Sequence, residues 1–145
     1  GVALSVILVG WKSALAAERH ESMDLETRTQ EEMEKVLRPI ASLIGKSEKA
    51  QGKLAPDTWQ HAMLEGNLKA LRIAFRLMSG EAGDLDEFSP NDLKEALESM
   101  DSMIKRSEKA WGEFSPGTSQ HTLQKNRIHA LRIASELISG VLEAP

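Results

Sequence analysis

The chain has 145 residues, enough for one domain with a sizeable core, and its 41% hydrophobic and 28% charged residues are ordinary globular values. Aromatic residues make up only 4%, which favours an aliphatic helical core over a β-sandwich. With a net charge of −4 the chain lacks the basic footprint of a nucleic-acid-binding protein, so we expect no nucleic acid as partner. The absence of Cys excludes disulfides, thiolate metal sites, Cys nucleophiles and covalently attached haem.

The first segment, residues 1–17, is apolar from Val2 to Trp11 and continues into small residues before the polar Glu18. This order is typical of the apolar core and cleavage site of a signal peptide. The alternatives are an extra helix packed on the bundle and a membrane anchor. Because the apolar stretch is shorter than the roughly 20 residues that cross a bilayer, we expect no integral membrane span. The protein is then periplasmic or secreted if residues 1–17 are an export signal, and cytoplasmic otherwise.

The remainder, residues 18–145, is predicted to be a single helical domain formed by an internal duplication. Repeat one covers residues 31–80 and repeat two residues 91–140, and at an offset of about 60 residues roughly 20 of the 50 aligned positions are identical without a gap. Residues 47–50 recur as 107–110, and residues 70–74 recur as 130–134. Such a duplication predicts two copies of one structural unit.

The first helix of each repeat is expected to open with a capping pattern, Thr29-x-x-Glu32 in repeat one and Ser89-Pro90-x-Asp92 in repeat two. Apolar residues then recur at helical spacing in both repeats. The predicted stripes are Met33, Val36, Leu37, Ile40, Leu43, Ile44 and Leu54, and Leu93, Leu97, Met100, Met103, Ile104, Trp111 and Phe114. Pro39 lies within the first of these helices, where we expect a bend that repeat two, with Ser99, lacks.

A turn containing Pro56 or Pro116 leads in each repeat to a threonine, Thr58 or Thr118, that can cap the next helix. The second helices are expected to end in left-handed glycines, Gly80 and Gly140. Their predicted stripes are Leu64, Leu68, Leu71, Phe75 and Met78, and Leu123, Ile128, Leu131 and Ile138, with Met63 also assigned to core filling. The acidic stretch 81–90 between the repeats is interpreted as a solvated connector.

Four amphipathic helices with short connections predict two antiparallel hairpins. One hairpin cannot bury both of its apolar stripes well by itself, so the two copies should pack together. The predicted fold is therefore all-α: a four-helix bundle made of two tandem duplicated antiparallel hairpins, plus the apolar N-terminal segment. A hairpin pair that opens and swaps across a dimer is the alternative.

Two histidines, His61 and His121, occupy equivalent positions shortly after the hairpin turns, so the duplication should bring them to the same end of the bundle. We expect Trp111 opposite His121, and Gln51 opposite His61 with Trp59 nearby. Small residues on the preceding helices predict a cavity beneath the histidines: Ser47, Ala50, Gly52, Ser107, Ala110 and Gly112.

One hypothesis places non-covalent haem between the two histidines, or a divalent metal held by His61, His121, Glu48 and Glu108. The alternative is that these polar residues only satisfy backbone donors at the starts of the helices. Arg72 and Arg132 lie on the same helix faces as the histidines, about 16 Å further along. They are predicted either to hold an anion together with a histidine or to pair with an acid of the first helix.

Catalytic signatures are missing from the sequence, which has no zinc-protease motif, phosphate loop or nucleophile elbow. We therefore expect a non-enzymatic module, without a cofactor, that binds a protein partner or forms a homo-oligomer. The alternative function is an exported haem or metal carrier that uses the histidine pair. A third reading is an enzyme that uses the His–Arg face on an anionic substrate.

Overall fold

The computed structural model describes residues 25–80 and 88–143; the predicted N-terminal segment 1–17 and most of the acidic connector lie outside these described residues. The described chain forms α-helices only: α1 (Leu25–Gln51), α2 (Trp59–Ser79), α3 (Pro90–Glu113) and α4 (Ser119–Glu143). They pack as a four-helix bundle, which confirms the predicted fold class. None of these four helices combines the length and the apolar character needed to cross a membrane.

The helices form a ring in which α1 contacts α2, α2 contacts α3, α3 contacts α4, and α4 contacts α1. Helix α2 also contacts α4 across the centre. Small side chains allow this approach, since Ala70, Ala74, Ala130 and Ala134 are all fully buried. The second helices of the two repeats therefore form the middle of one shared interior.

The core takes equivalent residues from both repeats. Leu71 and Leu131 are inaccessible to solvent, and Ile40 and Met100 occupy equivalent buried positions on α1 and α3. Burying each such side chain contributes about 1.5–3 kcal/mol to folding. The remaining large core residues are Val36, Leu68, Ile73, Leu77, Met78, Leu93, Met103, Ile128, Ile133, Leu137, Ile138 and Val141.

The predicted caps are confirmed at three helix starts. The Thr58 and Thr118 hydroxyls accept hydrogen bonds from the backbone N–H groups of His61 and His121 at 3.3 and 3.2 Å, and Ser89 accepts one from the backbone of Asp92 at 3.0 Å. Each of these bonds satisfies a donor that the helix itself leaves free. Helix α2 ends at Gly80, whose φ of 74° is left-handed as predicted.

Two predicted helix ends are wrong. Helix α1 begins at Leu25, so Thr29 lies within the helix and not at its start. Helix α4 continues through Gly140 to Glu143, because Val141 is buried and Leu142 packs against the core, so that the apolar stripe extends past the glycine. Helix α1 runs through Pro39 without interruption, and the bend expected there stays a prediction.

Candidate functional site

Both histidines lie in the first turn of their helices, at the end of the bundle that carries the two hairpin turns, which we call the loop end. The His121 ring packs on Trp111, with ring centroids 5.0 Å apart and planes inclined by 35°. On the other hairpin the side-chain amide of Gln51 donates to the backbone carbonyl of His61 at 3.4 Å. The expected neighbours, Trp111 for His121 and Gln51 for His61, are confirmed.

The duplicated arginines pair with the duplicated glutamates across each hairpin. Arg72 Nη2 lies 3.9 Å from Glu48 Oε1, and Arg132 Nη2 lies 3.6 Å from Glu108 Oε1. All four side chains are about half exposed, so each pair contributes between zero and about 1 kcal/mol to stability. The prediction that each arginine pairs with an acid of the first helix of its repeat is therefore confirmed.

The four side chains predicted to hold a metal ion, His61, His121, Glu48 and Glu108, are not brought together as a metal-binding group in the described structure. Among residues 25–80 and 88–143, no three His, Asp or Glu side chains gather in a geometry that could hold a metal ion. Both glutamates of the set face an arginine. Metal or haem binding by His61 and His121 stays a prediction.

A cavity of about 290 Å³ opens near the loop end, where all four helices contribute to its wall. Three of the small residues that predicted a cavity line it: Ser47 on α1, and Ser107 and Ala110 on α3. We call it the inter-repeat cavity. Its other lining residues are Leu43, Leu64, Asn67, Met103, Arg106, Gln124, Arg127 and Leu131.

Polar side chains that the sequence interpretation did not single out enter this cavity. Asn67 and Gln124 are buried, with 5% and 9% of their surface exposed. Arg127 is unusual, because its Nε and Nη2 atoms are inaccessible and have no hydrogen-bond partner in the described structure. Burial lowers the pKa of the Arg127 guanidinium below its ordinary value.

The repeat itself contained a signal for these residues. Gln124 corresponds to Leu64, and Arg127 to Asn67, in the alignment of the two copies. Gln124 and Arg127 lie seven and four residues before the buried Leu131, on its face of α4. Polar residues on an apolar stripe are therefore the sequence signal for this cavity, and the two repeats do not share them.

A second cavity, of about 260 Å³, lies on the second hairpin between Glu108, Trp111, Lys125, Ile128, His129 and Arg132. Repeat one carries Gln51 and Glu65 where repeat two has Trp111 and Lys125. There the Gln51 amide donates to the Glu65 carboxylate at 2.6 Å, which joins the two helices across this position. The two hairpins have therefore diverged in their polar side chains while keeping the same backbone.

Large apolar side chains are exposed at the loop end. Trp59 is 71% exposed, and Met63, Trp111 and Phe114 are between 36% and 38% exposed. The sequence interpretation assigned Met63, Trp111 and Phe114 to the core, which is wrong, because each of them is at least 36% exposed. We call these four residues the loop-end surface. Arg106 reaches it from α3, with Nη1 lying 3.9 Å from Met63 Sδ.

The loop end is more basic than the chain as a whole. Residues 105–127 carry the acids Glu108 and Glu113 against five bases, which are Lys105, Arg106, Lys109, Lys125 and Arg127. Residues 49–65 carry two bases and two acids. The remaining residues of the described chain carry a net charge of −2, so within it the positive charge is concentrated at the loop end.

Comparisons of the chain with protein-family models, with curated proteins and with solved structures give no match in any of the three.

Proposed function

We propose that the protein is a non-enzymatic binding module that docks a protein partner through the loop-end surface. The single observation that carries this proposal is the 71% exposure of Trp59, with the other exposed large apolar residues of the described chain at the same end. Tryptophan is enriched among the residues that dominate binding energy at protein interfaces. A large exposed apolar side chain costs solubility, and a partner removes that cost.

The chemistry of the partner follows from the bases around this surface. Arg106, Lys109 and Lys125 are exposed at the loop end. An apolar contact ringed by acidic side chains would complement them and speed association. The loop-end surface exposes on the order of 400 Å², less than the roughly 800 Å² per partner of a stable complex. The complex is therefore transient, or its interface extends over the neighbouring charged rim.

Replacing Trp59 tests this proposal. Trp59→Ser introduces the residue that repeat two carries at the equivalent position, Ser119, so the helix start should tolerate it. Tagged protein is incubated with an extract of its source, and captured proteins are quantified at low and high salt. We expect a captured protein that is lost with Trp59→Ser and weakened by salt.

The matched control is Lys94→Ser, an exposed change in the first turns of α3 at the opposite end of the bundle. It should leave capture unchanged. Sedimentation velocity of the pure protein tells whether the partner is a second copy. Capture that Trp59→Ser leaves intact, or the absence of both capture and self-association, contradicts the proposal.

Binding of haem or a divalent metal by His61 and His121 is the second function predicted from the sequence, and it has a separate test. Purified protein should show a haem Soret band or stoichiometric metal that His61→Ala and His121→Ala abolish. If the protein shows neither signal after incubation with haem and with Zn²⁺, this function is contradicted, and the partner-binding proposal is unaffected.

A further inference from the structure

The inter-repeat cavity has the composition of an anion site. Its lining includes two arginines, two amides and two hydroxyls, namely Arg106, Arg127, Asn67, Gln124, Ser47 and Ser107, and no acidic side chain. Every one of these groups can donate a hydrogen bond. The donors come from all four helices, so the site exists only where the two repeats meet.

Arg127 gives the strongest indication of a missing ligand. The Arg127 side chain is only partly buried, but native proteins rarely leave buried donors without a hydrogen bond. The Nε and Nη2 atoms of Arg127 have neither solvent nor a hydrogen-bond partner in the described structure. Solvent does not reach these two nitrogens, so a ligand in the cavity would meet the accessible part of the guanidinium, whose charge has no acidic partner among the described residues.

The rest of the wall indicates what accompanies the negative group. Leu43, Leu64, Met103, Ala110 and Leu131 contribute an apolar surface beside the donors. A ligand with only a charged head would leave this surface without contacts. At about 290 Å³ the cavity lies at the lower end of the usual size of small-molecule sites, so it fits a compact ligand.

We propose that the inter-repeat cavity binds a small monocarboxylate with a short apolar tail or ring, its carboxylate held by Arg127 and its tail packed between the two repeats. Asn67 and Gln124 donate to the same carboxylate from α2 and α4, and Arg106 attracts it at the mouth. The second cavity, on the outer face of repeat two, is not this site, because Arg132 there already faces Glu108 at 3.6 Å.

The full chain is titrated with hexanoate and with benzoate. Calorimetry measures the binding, and NMR of the side-chain amides shows which residues are affected. We expect saturable binding that shifts the Asn67 and Gln124 amide signals. Arg127→Met should weaken binding at least tenfold, which corresponds to about 1.4 kcal/mol. This variant should fold, since it replaces an unpaired charge by an apolar side chain of similar length.

Three controls separate the site from simpler explanations. Arg132→Met removes a base of the second cavity and should leave the affinity unchanged; a tenfold loss there with none in Arg127→Met contradicts the proposal. Hexanol and benzyl alcohol, which lack the charge, should bind at least tenfold more weakly, and equal binding contradicts an anion site. Acetate, which lacks the tail, should also bind at least tenfold more weakly, and equal binding contradicts the role of the apolar wall. No binding of either acid at millimolar concentration overturns the proposal.

Discussion

Arg127 places a charged side chain at a core-facing position of repeat two. At the equivalent position repeat one has Asn67, a neutral amide, and both residues line the inter-repeat cavity. Sequence periodicity places both on the core-facing side of their helices, where charge is expected to be rare. Periodicity could not predict that the guanidinium has no acidic partner, because that depends on which side chains of the three other helices surround it.

Arg127→Met is therefore predicted to stabilise the ligand-free protein. Removing an unpaired charge, two of whose donors are buried without a partner, while keeping the volume should raise the free energy of unfolding by about 1–3 kcal/mol. Urea unfolding monitored by circular dichroism measures this change. Arg132→Met, which breaks an exposed pair, is the control and should change stability by less than about 1 kcal/mol in the opposite direction. A destabilised Arg127→Met would mean that the guanidinium already has a partner.

The local sequence predicts some helix ends correctly and others wrongly. The threonine caps could be predicted because the donor and acceptor lie three residues apart on the same chain. The end of α4 could not, because Gly140 is followed by Val141 and Leu142, and the packing of those two on the core decides whether the helix continues. The same Ser-Gly sequence therefore ends the helix in repeat one and continues it in repeat two.

The two glycines provide a matched pair of substitutions. Gly80→Ala forces a side chain into the left-handed region at φ 74° and should lower the free energy of unfolding by about 1 kcal/mol. Gly140→Ala adds a methyl group within a helix and should raise it by about 0.5–1 kcal/mol. Chemical unfolding of both variants measures the difference. A loss of the same size at both positions would show that α4 ends at Gly140 after all.

Helices α2 and α3, from different repeats, are joined by an ion pair between Lys69 Nζ and Asp92 Oδ1 at 2.8 Å. The hydrogen bond and charge of Lys69 lower the pKa of the Asp92 carboxyl from its usual 3.8, with Ser89 lowering it further. The same pair raises the pKa of Lys69 from 10.5. The stabilising contribution of Asp92 is therefore present above pH 3.8 and is lost as the pH falls through the lowered pKa; that of Lys69 is lost as the pH rises through the raised one.

Lys69→Met should raise the Asp92 pKa toward 3.8, measured by NMR titration of the carboxyl group. The pKa should stay somewhat below that value because Ser89 remains. Lys105→Met, which removes a base paired with Asp101 on the same helix, is the control and should not move it. An unchanged Asp92 pKa in Lys69→Met would mean that the two side chains are not in contact in solution.

At the scale of the whole molecule, the duplication makes the fold predictable. Roughly 20 identical positions show which helix faces are equivalent in the two repeats. Because each helix has one apolar stripe, a closed bundle is the simplest arrangement that buries all four stripes. The loop-end surface was less predictable, since Trp111 and Phe114 continue the apolar spacing of α3 and are nevertheless 38% and 36% exposed. The proposed carboxylate site depends on the shared interior, because the inter-repeat cavity has walls from both copies.

Native-state hydrogen exchange on the wild type and on Leu71→Ala tests this shared interior most directly. Leu71 belongs to repeat one and is inaccessible to solvent. Leu71→Ala should lower the free energy of unfolding by about 2–5 kcal/mol. If the repeats form one cooperative core, the slowest-exchanging amides of α3 and α4 should lose the same free energy of opening as those of α1 and α2. Loss of protection confined to α1 and α2, with α3 and α4 unchanged, would show that the repeats are independent units.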